Sequence, residues 1–219
     1  MTITRPKQVQ KPLRVQGFSL FAHEYLSEES PLSGVTCIDE TLNKEDFRQI
    51  EIHKAGFEKC VFSSCHFEKA SFIDVIFKSC DLSGSSFRDA YFERCQFLAC
   101  KCIGVDMSDT RIKQVSFSQT KLSYSYFDRT KISDVLFDQV DFTEASMIEA
   151  RISRFEACQS IFVKNNFFQT MLSSVDFSPN EFVAPVVSMP PQELKGAILS
   201  ASQAADLISL WGIIVKNGS

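Results

Sequence analysis

Residues 67–97 read FEKASFIDVIFKSCDLSGSSFRDAYFERCQF. A large apolar residue arrives at every fifth position, a period that belongs neither to an α-helix nor to a flat strand. Stepping by five from Phe47 to Phe182 gives 28 consecutive positions, every one apolar. Against 44 % apolar residues overall, chance produces such a run with a probability on the order of 10⁻¹⁰. Seventeen of the 21 phenylalanines lie in this register. A second register, two residues earlier, is small: Ala55, Cys60, Cys65, Ala70, Val75, Cys80, Ser85, Ala90, Cys95 and onward. Its one bulky late member is Phe155, and the next large-register position holds the lone alanine there, Ala157. Big and small have traded places, as conservation of core volume requires. The other three positions of each unit are mostly Ser, Asp, Glu, Lys, Arg and Gln.

Units such as CDLSG, ASFID, SSFRD and VDFTE resemble the A(N/D)LXX-like repeats of pentapeptide-repeat proteins. The resemblance implies an all-β solenoid: a right-handed quadrilateral β-helix with one pentapeptide per side and 20 residues per coil. A turn every five residues points two side chains in and three out, and stacked coils satisfy each other's backbone groups at about 4.8 Å. Seven coils over 46–185 make a rod of roughly 34 Å. The phase never slips, so no projecting loop is expected.

The ends differ from the rod. Residues 1–45 read as an N-terminal tail and capping segment, the tail being followed by a degraded first coil or a cap. Arg5, Lys7, Lys11 and Arg14 lie in the first sixteen residues without an acid. Leu32, Cys37 and Leu42 keep the register, but Glu40 and Glu45 spoil the small positions. After residue 185, Pro190 and Pro191 end the coils. Residues 186–219 read as a short C-terminal α-helix and strand. Ser200 with Gln203 fits a capping box, and Gly212 suits the position after the helix. Ala204, Leu207, Ile208, Leu210, Trp211, Ile213, Ile214 and Val215 form an apolar set with two readings. Either the helix folds back on the last coil, or it makes a twofold dimer contact. The resemblance favours the homodimer.

Composition narrows the function. Net charge is −4, so direct nucleic-acid binding by the whole chain is not expected. No run has the length of a signal peptide or a membrane span, which predicts a cytoplasmic protein. Eight cysteines in a reducing compartment read as core thiols. Cys60, Cys80 and Cys100 share one interior column, while Cys158 points outward. His23, His53 and His66 form no ligand set, and no phosphate loop or nucleophile motif occurs. We expect no enzyme activity, no cofactor, no metal and no small-molecule substrate.

Spacing of 20 assigns each outward residue to a side. The side through Phe47 and Phe67 has seven acids and four bases, and the next has four acids and seven bases. The candidate partner-binding residues are Asp89, Asp106, Asp109, Asp128 and Glu149 on this acidic side. SASQAADLISLWGIIV is similar to the dimerising helix of the Qnr-type quinolone-resistance subgroup. That resemblance implies a bacterial DNA mimic that binds DNA gyrase or topoisomerase IV and protects it from quinolones or similar poisons. A structural or adaptor β-helix with a different protein partner is the alternative.

Overall fold

The computed structural model describes residues 2–210 and 212–215. The chain winds into a right-handed quadrilateral β-helix of about nine turns with two short helices. Successive coils stack in parallel with a register of twenty. Phe72 pairs with Phe92, Phe92 with Ile112, Ile112 with Ile132 and Ile132 with Ile152. The side following that one stacks Phe57, Phe77, Phe97, Phe117 and Phe137 in the same way. The two remaining sides are held mostly by single bridges, such as Asp106 with Tyr126, with short strand pairs at the ends of one of them, Thr41–Asn43 with Val61–Ser63 and Ile161–Val163 with Glu181–Val183. No loop interrupts the repeat between Phe47 and Phe182.

The corner after each side is a residue with positive φ. Lys54, Lys59, Ser64, Lys69 and Asp74 have φ of 51, 54, 52, 60 and 60°. Left-handed backbone is costly for residues other than glycine. Here each corner amide donates to the coil above, as Lys54 does to Ile73 and Lys59 to Lys78, both at 2.9 Å. The tight corner turns both inward positions of every unit into the core. The inward rings then stack in columns: Phe67 on Phe87 at 4.9 Å and 3°, and Phe72 on Phe92 at 4.8 Å and 7°. Each fully buried ring contributes about 1.5–3 kcal/mol.

Coil geometry starts at Leu32, which pairs with Ile52 and is fully buried. The N-terminal segment therefore contains a true coil, and the rod extends beyond the seven coils expected over 46–185. Helix α1 (Phe18–Ser27) plugs the open mouth. Phe18 is fully buried against Phe47, Phe57 and Phe62, at 5.7, 5.2 and 5.9 Å. Glu40 and Glu45, which break the small register, serve this plug. Glu40 accepts from the Gly17 amide at 2.7 Å, and Glu45 from the Ser19 hydroxyl at 3.0 Å.

At the other end, α2 (Ala201–Leu210) opens with the expected capping box. Ser200 N donates to Gln203 Oε1 at 2.8 Å, and Gln203 N to Ser200 Oγ at 3.3 Å. Gln203 Nε2 also donates to the Phe177 and Asn180 carbonyls of the last coil. Leu207 is buried beside it. The helix folds back on the rod through this face.

Residues 2–15 form a strap, a feature absent from the sequence reading. Leu13–Val15 pair with Val35–Cys37. Further out, Lys7 N donates to Asp74 Oδ1 at 2.9 Å, Gln8 Nε2 to Asp74 O at 2.7 Å and Thr4 N to Gln114 Oε1 at 2.7 Å. The strap thus runs lengthwise along one corner of the rod. Among the described residues, no helix is long and apolar enough to cross a membrane.

Candidate functional site

The register places Asp89, Asp106, Asp109, Asp128 and Glu149 on one side, within the span of a few coils. Their surroundings divide them. Asp89 and Glu149 are exposed and, among the described residues, form no ion pair. Asp106, Asp109 and Asp128 are only half-exposed and bonded. Arg129 grips Asp109 with two hydrogen bonds of 2.7 and 2.8 Å. Its guanidinium holds the Asp109 carboxyl below the usual carboxylate range. Arg88 lies 3.9 Å from both Asp106 and Asp109. Asp128 Oδ1 accepts from the Ile148 amide at 2.9 Å and from the Ser146 hydroxyl at 2.5 Å. These three hold the outward positions that the register gives them, but their carboxylates are engaged. Two are paired and one supports the neighbouring coil.

The same side carries apolar surface. Tyr126 is 50 % exposed and Phe168 42 %, with Ile148 half-buried between them. Tyr124, on the adjoining corner, is also exposed. The ring signal was present in the sequence, since Tyr126 and Phe168 hold outward positions.

On the neighbouring side the cations divide similarly. Arg94 pairs with Asp74 at 2.8 Å, and Arg154 with Asp134 at 2.5 Å. Arg111, Lys131 and Arg151 stack in successive coils, exposed and, among the described residues, without an ion pair.

The expected dimer set also divides. Leu207 belongs to the contact with the last coil. Ala204 and Ile208 are half-buried, and Leu210, Ile213, Ile214 and Val215 are exposed. Trp211 lies outside the described residues. Among the described residues, Ile213–Val215 form no strand.

The cysteines have structural roles. Cys60, Cys80 and Cys100 donate to the carbonyls of Cys37, Phe57 and Phe77, at 3.4, 3.3 and 3.4 Å. Burial pushes the Cys95 thiol up to about 12 and the Cys102 thiol well above its ordinary value. No group of three His, Cys, Asp or Glu side chains among the described residues could hold a metal ion.

This geometry defines a class: a β-solenoid of stacked five-residue units. A model of the pentapeptide repeat region matches residues 50–127 and 90–159. The chain belongs to the pentapeptide-repeat family. No curated protein matches it. Among solved structures it is similar to QnrB1, a plasmid-mediated fluoroquinolone resistance protein. The full-length structure has 22 % identity and a TM-score of 0.53, with 83 % of this chain and 92 % of that chain covered. One trypsin-treated point variant of QnrB1 gives 21 % and 0.54, covering 85 % and 93 %. A second gives 23 % and 0.51, covering 84 % and 92 %. These likenesses establish the shared β-helix.

Proposed function

We propose that the protein binds a bacterial type II topoisomerase, DNA gyrase or topoisomerase IV, and protects it from quinolones or related poisons. The carrying observation is the acidic side: carboxylates set along a straight rod at coil spacings, with Asp89 and Glu149 exposed. Duplex DNA presents one phosphate per 3.4 Å of each strand. Coils repeat at about 4.8 Å, so the rod offers a similar line at lower charge density to a basic groove. The fold shared with QnrB1 supports the reading. Apolar residues at the C-terminal end, Leu210 and Ile213–Val215, suit a homodimer that doubles the rod's length about a twofold axis.

Arg129 and Arg88 neutralise part of the row. Binding therefore depends on Asp89 and Glu149 and on the rings of Tyr126 and Phe168. That partial neutralisation also favours the second reading, an adaptor for some other protein. Biolayer interferometry with gyrase separates the two. We expect binding that weakens as salt rises. The double reversal Asp89→Lys/Glu149→Lys should lower affinity at least about tenfold, whereas Lys131→Glu/Arg151→Glu should not. Equal affinity of the acidic variant and wild type would remove this side as the docking face.

A further inference from the structure

Among the described residues, the ladder is broken between strand Arg151–Cys158 and the chain one coil later, 171–178. Elsewhere the central and corner amides donate forward, as Leu122 does to Asp141 and Tyr124 to Thr143. The amide preceding each central residue donates back, as Arg151 does to Thr130. On this pattern Ile152, Arg154 and Ala157 would donate to 171–178. Met171 and Asp176 would donate back to Ala150 and Phe155. Among the described residues none of these five bonds forms. Residues 171–178 keep their own forward bonds, here to the C-terminal segment: Leu172 N donates to Glu193 O at 2.9 Å, Ser174 N to Gly196 O at 2.8 Å and Phe177 N to Ile198 O at 2.9 Å. The other two sides of the same coil stay paired, through Glu149 N to Phe168 O and Ile161–Val163 with Glu181–Val183.

The sequence explains the break. Phe155 puts a ring in the small column, and Ala157 leaves the large column underfilled. Pro179 occupies a corner where every other unit needs positive φ; the left-handed series passes from Ser174 to Ala184. Proline cannot adopt that φ. Two adjoining clefts open along the break, of about 580 and 360 Å³. Ile152, Phe155 and Val175 line the first and Leu136, Ala157 and Asp176 the second.

We infer that this edge docks an extended polypeptide segment of a partner protein, added as a strand parallel to Arg151–Cys158. What the cleft lacks is backbone donors and acceptors at strand spacing, and a polypeptide backbone supplies both. Its apolar wall takes the inward side chains of the incoming strand. The two clefts are lined by three acids, Asp134, Glu156 and Asp176, and one base, Arg154, so the incoming segment is basic. The protein's own strap sets a precedent. It is extended, bears Arg5, Lys7, Lys11 and Arg14, lies along the corner column of Asp74 and Gln114 that Arg154 continues, and reaches the first cleft with Thr2.

The test uses the full chain and a synthetic peptide, RIKQVSFS, copied from Arg111–Ser118, a basic strand that already pairs in parallel here. Residue-level hydrogen exchange is the readout. In the free protein the Ile152, Arg154 and Ala157 amides should exchange at least about tenfold faster than those of Ile132, Asp134 and Phe137. Saturating peptide should slow the first three about tenfold, and the proline-bearing RIPQVPFS should not. The variant Phe155→Val/Ala157→Phe/Pro179→Asn should close the ladder and lose the response. If it does not fold, Pro179→Asn alone serves the same comparison. Equal exchange of the two amide sets in the free protein would overturn the inference, and so would indifference to peptide at about 1 mM. Slowing that follows protein concentration without peptide would assign the edge to a second copy and also overturn it.

Discussion

Truncating Phe97 probes the columnar core at its centre. Its ring is fully buried. It stacks between Phe77 at 4.9 Å and 13° and Phe117 at 4.6 Å and 9°, with Phe92 tilted against it at 5.9 Å. Gln96–Leu98 pair with strands on both flanks, so the backbone cannot collapse into the void. Phe→Ala in a core costs about 3–5 kcal/mol, with the upper end where relaxation is blocked. We expect about 4 kcal/mol for Phe97→Ala. At roughly 2–4 °C per kcal/mol for a chain of this size, Tm should fall by roughly 8–16 °C. Circular dichroism melting with parallel urea titration measures both quantities. Phe168→Ala, at 42 % exposure, serves as control and should cost less than about 0.5 kcal/mol. A Phe97→Ala cost below about 1 kcal/mol, or equal costs for the two variants, would refute the inward column.

The thiols give a chemical readout of the same register. At about pH 8 iodoacetamide should leave the seven buried cysteines of the native protein unmodified, and labelling of those seven before unfolding would contradict their inward placement. The Arg154 guanidinium, with the Ser133 hydroxyl, draws the Asp134 carboxyl down to about 2. A depressed folded value means the pair stabilises above the unfolded value near 3.9 and loses that contribution as pH falls towards about 2. Arg154→Ala should therefore melt below wild type at neutral pH, with the gap closing between about pH 4 and 2; a gap undiminished at the acid end would exclude this pair as its source. Ile213→Asp/Ile214→Asp keeps the Gln203–Leu207 cap yet should give a monomer by light scattering. Wild type that is already monomeric at micromolar concentration would end the dimer reading.

The rod was legible because its signal is periodic: one misplaced residue in five would have been visible. The Phe155–Ala157 exchange was legible too, as a swap of volumes. Its consequence, the broken ladder, was not, since that depends on how far Pro179 displaces the following coil. Glu40 and Glu45 looked like faults in the small register because the helix they serve contacts them from outside the repeat. The strap was silent because residues 2–12 carry no period, and side-chain acceptors on distant coils position them. The pairing of the carboxylates was within reach. Asp109 with Arg129, Asp74 with Arg94 and Asp134 with Arg154 are each twenty residues apart, directly above one another in the stack. Counting charges by side hid these pairs; counting them by column exposes them.

The central claim is protection of a type II topoisomerase. Its most direct test is DNA supercoiling by purified gyrase at an inhibitory concentration of ciprofloxacin, with increasing amounts of the full-length protein. The account predicts that supercoiling recovers in a dose-dependent way with wild type and fails to recover with Asp89→Lys/Glu149→Lys. No recovery with wild type at any dose, together with no gyrase binding at low salt, would contradict it and leave the adaptor reading in its place.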